Sequence, residues 1–204
     1  MQTNKLWLGL VVLMTIHLTG NAQTTEKERR YFVGSTFALL GNFAQTNAPD
    51  FAQLNLGFRL TSKDVLSLEL KTWKYAWPLG IPVTNSAYGD PDTAFPGYIR
   101  EYGMALVYQR FWWKGLYVGV HLMSARQHFF DEEGQQIGKG FQLFTTYRLG
   151  YQIKLFDNRF FIEPSIAITH RPFHTKMPDG FRRQDEQWSK FLFGEPGLHF
   201  GFNF

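Results

Sequence analysis

Hydrophobic and polar residues alternate with a period of two over most of the chain from Tyr31 onward. The segment 51–60 shows this most clearly, because Ala, Leu, Leu, Phe and Leu alternate there with Gln, Asn, Gly and Arg. A period of two is the signature of a β-strand whose two faces meet different surroundings. The pattern predicts eight strands, at 30–41, 51–60, 65–76, 98–111, 115–128, 140–154, 159–170 and 188–204.

The segments between these strands alternate in length. Those at 61–64, 112–114 and 155–158 are tight, whereas those at 42–50, 77–97, 129–139 and 171–187 are longer and rich in Pro, Gly, Asn and Asp. Short turns at one edge and long loops at the other are typical of a transmembrane barrel, and a soluble sandwich has no reason to alternate so regularly. We therefore predict an all-β protein, a roughly eight-stranded antiparallel transmembrane β-barrel over 30–204.

The first 22 residues have the pattern of a cleaved export signal. Lys5 provides the positive start, 6–18 is apolar, and small or polar residues precede Gln23. An uncleaved anchor is the alternative, but an apolar run of about 13 residues is short of the roughly 20 that span a bilayer. We predict a signal peptide at 1–22 and a short periplasmic leader at 23–29.

The amino-acid composition argues against several classes of protein and of functional site. The chain contains 21 Phe, 9 Tyr, 6 Trp and 19 Gly but no Cys, which excludes disulfides, thiolate metal sites and Cys nucleophiles. A mean hydropathy of −0.25 argues against a polytopic helical membrane protein. The net charge of +4 comes without a long Lys/Arg run, so no nucleic-acid partner is expected.

The end of the chain carries a more specific motif. Phe204 follows Phe202, Phe200 and Leu198 at alternate positions of the last predicted strand. With the export signal and the strand count, this resembles the small outer-membrane β-barrel proteins of Gram-negative cells, of the OmpA-barrel, OmpX and OmpW kind. The resemblance concerns architecture. It implies a monomer in the outer membrane, in contact with lipid and lipopolysaccharide, whose assembly machinery reads Phe200, Phe202 and Phe204.

Two prolines depart from this pattern. Pro164 and Pro196 fall inside the last two predicted strands, each after a Glu, although Pro cannot donate to a strand ladder. Either bulges on neighbouring strands accommodate them or the predicted boundaries are wrong there.

Polar residues on the face opposite the apolar one would fill the barrel lumen. An eight-stranded barrel is just wide enough for side chains, and buried charges need partners. We therefore expect an internal network that holds the barrel shut, with a narrow polar path as the alternative. Its candidate members are Arg59, Glu69, Lys71, Glu101, His121, Arg148, Glu163, Glu195 and His199.

The expected function is that of a non-enzymatic outer-membrane barrel with a structural or surface-interaction role. A narrow channel or a carrier for a small apolar solute is the alternative, and an outer-membrane lipid hydrolase comes third. The lipid A deacylase family uses a His with a Ser two residues later, and no histidine here has that partner.

Pro172 between His170 and His174 disfavours a helical metal site. No catalytic residue, metal or cofactor is predicted. Basic residues of the last long loop, Arg171 among them, are expected to be solvated or to meet lipopolysaccharide phosphates.

Overall fold

The computed structural model describes residues 29–44, 48–82 and 84–204. The predicted signal peptide, 1–22, and all of the predicted leader except Arg29 lie outside this part of the chain. The described residues form one antiparallel sheet. Its strands are β1 (Tyr31–Thr36), β2 (Ala52–Arg59), β3 (Asp64–Tyr75), β4 (Tyr98–Trp113), β5 (Leu116–Phe130), β6 (Gln136–Tyr151), β7 (Ile153–Leu155), β8 (Phe160–His174) and β9 (Phe191–Asn203).

The hydrogen bonds of this sheet close in a ring. Each strand from β1 to β6 pairs with the next, β1 also pairs with β9, and β8 pairs with β9, β7 and β6. The predicted all-β barrel is confirmed. The strands β6 and β7 keep one register opposite β8, since Gly150 faces Ser165 and Ile153 faces Ile162. The ladder between them breaks opposite Pro164, which has no N–H to donate. Because β6 and β7 together occupy one position in the barrel wall, the nine strands form eight wall positions, here called staves.

Three tight turns lie at one edge of the barrel, here called the turn end. Lys114 and Gly115 join β4 to β5 with positive φ angles of 44° and 98°, as the two-residue hairpins that follow strand twist require. A Cβ on Gly115 would lie 2.4 Å from the Gln152 carbonyl oxygen, so this position needs glycine for space as well as for φ. The turn between β7 and β8 also has positive φ at Phe156, Asp157 and Asn158.

The opposite edge, here called the loop end, differs from the prediction at several places. The first predicted strand, 30–41, ends at Thr36, because the chain turns into a 3-10 helix over Phe37–Phe43. The Thr36 hydroxyl accepts a hydrogen bond from the Ala38 N–H at 3.3 Å and so caps that helix. The predicted third long loop, 129–139, is mostly strand, since β5 runs to Phe130 and β6 begins at Gln136.

The two remaining loops carry short helices. A 3-10 helix spans Pro91–Thr93 between β3 and β4, and the α-helix α1 spans Asp179–Asp185 between β8 and β9. Neither these helices nor the one after β1 is long and apolar enough to cross a membrane.

Pro196 lies in β9 beyond the part that pairs with β1, which ends at Thr36 and His199. On its other side, β9 carries a bulge at Gly194, whose φ is 75°, where the register with β8 shifts at Ala167 and Ile168. The prolines thus occupy an interrupted ladder and a one-sided strand segment, the positions that tolerate Pro in a sheet.

The outer face of the barrel is apolar around its whole circumference. Outward charges lie near the strand ends, as with Arg110 beside Asp64 and Arg100 beside Asp50. Aromatic rings are also exposed at the turn end, among them Trp112, Trp113 and Phe204. The belt between the two ends includes, from all eight staves, the exposed residues Val33, Leu54, Leu56, Leu68, Leu70, Tyr102, Met104, Leu106, Leu122, Leu143, Tyr147, Leu149, Ile166, Ile168, Leu198 and Phe202.

Candidate functional site

The nine polar residues expected in the lumen occupy alternate, inward-facing positions of their strands. Five of them are buried, namely Glu69, Glu101, His121, Arg148 and Glu163. The other four, Arg59, Lys71, Glu195 and His199, are partly buried. They do not form one continuous network but three groups, at the turn end, in the middle and at the loop end.

The group at the turn end closes the barrel. The Glu163 carboxylate accepts hydrogen bonds from the Gln152 amide at 2.8 Å, from Gln109 at 3.4 Å and from the Tyr117 hydroxyl at 3.5 Å. Below it the rings of Phe32 and Phe161 meet edge to face at 5.3 Å. Polar atoms and rings together fill this cross-section, and we call it the turn-end plug.

Arg59 completes the turn-end plug nearest the edge. Its guanidinium donates to the Asn203 side-chain oxygen at 3.1 Å, and the Asn203 amide donates to the Asn158 carbonyl at 2.7 Å. These bonds tie strands β2 and β9 to the β7–β8 turn. A charge on β2 thereby helps to hold the ends of the folded chain together.

Two contacts between a basic and an acidic side chain form the middle group. His121 Nδ1 lies 3.3 Å from Glu69 Oε2, and both side chains are buried. Arg148 donates to the Ser165 hydroxyl at 2.8 Å and lies 3.7 Å from the Glu195 carboxylate. His199 faces the same space from β9. The middle group therefore matches each carboxylate with a basic partner, as buried charges require.

At the loop end the Glu101 carboxylate is fully buried and accepts three hydrogen bonds. The donors are Trp73 at 3.0 Å, Tyr75 at 3.3 Å and the Gln142 amide. Gln127 in turn donates to the Tyr75 hydroxyl at 2.9 Å. Donors from neighbouring strands thus satisfy a carboxylate that faces no cation within ion-pair distance among the described residues.

Above Glu101 the barrel mouth is covered by the two long loops. An apolar cluster, here called the lid cluster, fills the mouth and comprises Phe95, Ile99, Phe129, Met177 and Phe181. The loops also approach closely elsewhere, since a Cβ on Gly80 would lie 2.0 Å from the Ser189 carbonyl oxygen. Glycine at position 80 lets one loop pass against the other.

A buried ion pair fixes α1 over the mouth. Arg171, on β8, binds the Asp185 carboxylate at two points, at 2.7 and 2.5 Å. The expectation that Arg171 is a solvated loop residue is wrong, because β8 continues to His174 and turns Arg171 inward. On the outer side of α1, a hydrogen bond from Arg182 to Glu186 raises the pKa of that guanidinium above its ordinary value.

Between the turn-end plug and the lid cluster lies a cavity of about 360 Å³. Its volume is within the range of small-molecule sites, roughly 300–1,000 Å³. The polar middle group and Lys71 line it toward the turn end, and Trp73, Leu79, Met123 and Phe144 form an apolar lining nearer the loop end. We take this luminal cavity as the candidate functional site.

The strand alternation places Met123 and Phe144 on the inner face, although the expected lumen network contains polar residues only. Leu79 comes from the loop after β3 and packs against the Met123 and Phe144 cluster, a contact that no local pattern reveals. Asp185 likewise carries no signal that would pair it with Arg171. The apolar half of the site therefore depends on loops that fold inward.

Hydroxyl groups of the lining bond to one another and to a carboxylate. The Thr146 hydroxyl, opposite His121 in the register, bonds to the Thr169 hydroxyl at 2.8 Å, and Thr169 donates to Glu195 at 2.8 Å. This chain of hydroxyls leads to Glu195 and away from the histidine that would have to activate a nucleophile. In the part of the chain that the structure describes, no group of three or more His, Asp or Glu could hold a metal ion.

The chain was also compared with known proteins. No protein-family model, no curated protein and no solved structure matches it.

Proposed function

We propose that this protein is a non-enzymatic outer-membrane β-barrel that binds a small, largely apolar solute in its lumen. The apolar belt supports the membrane location. A soluble monomer seldom exposes a contiguous apolar patch above a few hundred Å², whereas barrels in lipid expose an apolar band on every stave. The rings at the turn end suit a membrane interface, and exposed basic groups of the last loop, such as Lys176 and Arg183, suit lipopolysaccharide phosphates.

The observation that carries the binding function is the luminal cavity. Lumens of eight-stranded barrels are filled by side chains or hold one small ligand. Here the lumen is filled at the turn end and open in its middle, where Trp73 and Phe144 lie beside polar groups of the same strands. An apolar cavity with a few convergent polar groups is the usual form of a small-ligand site.

The turn-end plug favours this function over that of a channel. Glu163 and its three donors lie across the lumen at the turn end, and a lumen filled by side chains opposes conduction. A purely structural role in the envelope is the second candidate. It is favoured by the same plug, because a satisfied polar layer rigidifies a barrel whether or not a solute binds above it.

Native mass spectrometry of the detergent-purified protein with 1-decanol as the probe tests the binding function. We expect one bound decanol per barrel in the wild type, and none in Thr146→Trp, which puts an indole into the cavity. Thr145→Trp is the matched control, since Thr145 is the preceding residue of β6 and points outward. Absence of decanol from the wild type, or equal binding to both variants, would leave only the structural role.

Two further measurements address location and conductance. We expect the protein to need detergent for solubility and to give no stable single-channel steps in planar bilayers. Solubility without detergent would refute the membrane location, and regular conductance steps would show that the turn-end plug does not close the lumen.

A further inference from the structure

The barrel wall has one stave that stops early. β1 ends at Thr36, opposite His199, whereas β9 extends further toward the loop end, to Phe191. β2 likewise extends past its last partner on β1, Gly34, which faces Asn55. We call the space between Ala52–Leu54 of β2 and Phe191–Leu198 of β9 the wall gap.

Where β1 ends, two side-chain hydroxyls bond to backbone carbonyls of the neighbouring strands. The Ser35 hydroxyl donates to the Gln53 carbonyl at 2.6 Å, and the Thr36 hydroxyl donates to the Leu198 carbonyl at 3.0 Å. Beyond them the 3-10 helix Phe37–Phe43 lies beside β9. Among the described residues no backbone hydrogen bond joins that helix to β9, and Phe37 meets Phe200 through their rings, 4.8 Å apart.

The luminal cavity reaches both margins of the wall gap. Thr36, Ala38 and Gln53 line it on one side, and Leu192 and Pro196 line it on the other. Ala38 and Pro196 are also exposed. The lining of the cavity thus includes exposed residues at the wall gap, while the turn-end plug closes one end of the cavity and the loop residues Gly80 and Ser189 line the other.

Lys71 gives the cavity a positive charge that makes no direct ion pair. It projects inward from β3, and its ammonium group lies 5.3 Å from the Trp73 ring. Within the described part of the chain no carboxylate lies within 4.0 Å of it, since Glu69 contacts His121 and Glu195 contacts Arg148. A partly desolvated cation of this kind favours a ligand that brings an anionic group into direct contact with it.

We propose that the cavity takes an amphipathic acid from the surrounding lipid through the wall gap, with Lys71 binding the acidic head group. This inference rests on the function proposed above. The apolar side of the ligand would lie against Trp73, Met123 and Phe144. Access from the side suits such a molecule, because an apolar chain dissolved in the membrane reaches the gap without crossing water.

The head group is tested with decanoic acid and methyl decanoate as probes, which differ in charge but hardly in apolar bulk. We expect the acid to bind at least tenfold more tightly than the ester, and Lys71→Met to remove this preference without weakening the ester. Lys139→Met, an exposed lysine on β6, is the matched control and should change neither affinity. Equal affinity of acid and ester in the wild type would overturn this inference while leaving the solute-binding function intact. Failure of both probes to bind would refute that function.

The route is tested by the rate at which decanoic acid passes from phosphatidylcholine vesicles into the reconstituted barrel. Ala38→Trp should slow this uptake at least fivefold, because the indole fills the wall gap. Ser124→Trp, an outward residue of β5 across the ring, should leave the rate unchanged. An unchanged rate in Ala38→Trp, together with faster uptake when α1 is released by Asp185→Asn, would show that the ligand arrives through the loop end instead.

Discussion

Arg171 and Asp185 form a two-point ion pair beneath the loops that cover the barrel mouth, with both side chains buried. The pair joins the inner face of β8 to α1. Among the described residues it is the only ion pair between the barrel wall and the two loops that cover the mouth. Bidentate geometry of this kind favours one orientation of the helix. The lid cluster is apolar and could pack in several ways, so the ion pair selects the observed one.

Removing one partner of this pair should release the lid. We expect Asp185→Asn to destabilise the closed loop end by about 3 kcal/mol, since it leaves the Arg171 guanidinium buried without a counter-ion. Hydrogen exchange of the α1 amides should rise by orders of magnitude while the strands stay protected. The double variant Arg171→Met with Asp185→Leu should recover much of the protection, and slow exchange in Asp185→Asn would contradict the role of the pair.

Substitution of Glu163 should separate charge from hydrogen bonding in the turn-end plug. Glu163→Leu removes the acceptor of Gln152, Gln109 and Tyr117, and we expect it to lower the free energy of unfolding by about 2 kcal/mol. Glu163→Gln keeps one acceptor oxygen and should cost less. Urea titration in detergent micelles, followed by tryptophan fluorescence, measures both, and an equal loss in the two variants would show that charge alone matters.

Gly115, in the β4–β5 hairpin, should be more sensitive to substitution than Gly134, the left-handed glycine between β5 and β6. Gly115→Ala combines an unfavourable φ with a clash against the Gln152 carbonyl, and we expect a loss above about 2 kcal/mol. Gly134 isolates the φ effect, because its φ is 78° and a methyl group there would meet no atom within 4 Å. Gly134→Ala should cost about 1 kcal/mol in the same unfolding assay. Equal losses would remove the clash from the explanation.

Phe204 should matter for assembly more than for stability. Its side chain is 63% exposed, and its ring stacks on Tyr31 at 6.2 Å, while its backbone bonds to Tyr31 are independent of the side chain. We expect Phe204→Ala to reduce the amount of heat-modifiable barrel in outer-membrane fractions severalfold, yet to refold normally in micelles. Phe156→Ala, which truncates another exposed ring at the turn end, is the control. Normal membrane levels of Phe204→Ala would argue against an assembly signal there.

The strand alternation predicted the barrel because burial on the two faces of a strand is a local property. It placed Glu69, His121 and Arg148 on the inner face without any knowledge of their partners. It did not predict that β1 ends at Thr36, since Phe37, Leu39 and Leu40 also suit a strand. A side-chain cap and the competition from the 3-10 helix decided that boundary, and both depend on contacts with β9.

Most of the contacts that could not be predicted from the sequence involve the loops. Position 171 is polar and follows a His, so it fits a solvated loop as well as an inward strand position. Its partner, Asp185, is 14 residues away on α1, and the pairing depends on how the loop folds over the mouth. The same holds for Leu79 and for the cavity itself, whose volume results from the space that loops and strands leave unfilled.

The short ladder between β1 and β9 also bears on how the ring can form during synthesis. These strands lie at opposite ends of the folded chain, so the ring cannot close until β9 has been delivered, and every earlier intermediate is an open sheet with two free edges. Free edges of apolar strands pair with other chains. Such a sheet keeps both edges unpaired until β9 arrives, and the few residues of β1 that pair with β9 make closure the step most sensitive to competition from aggregation.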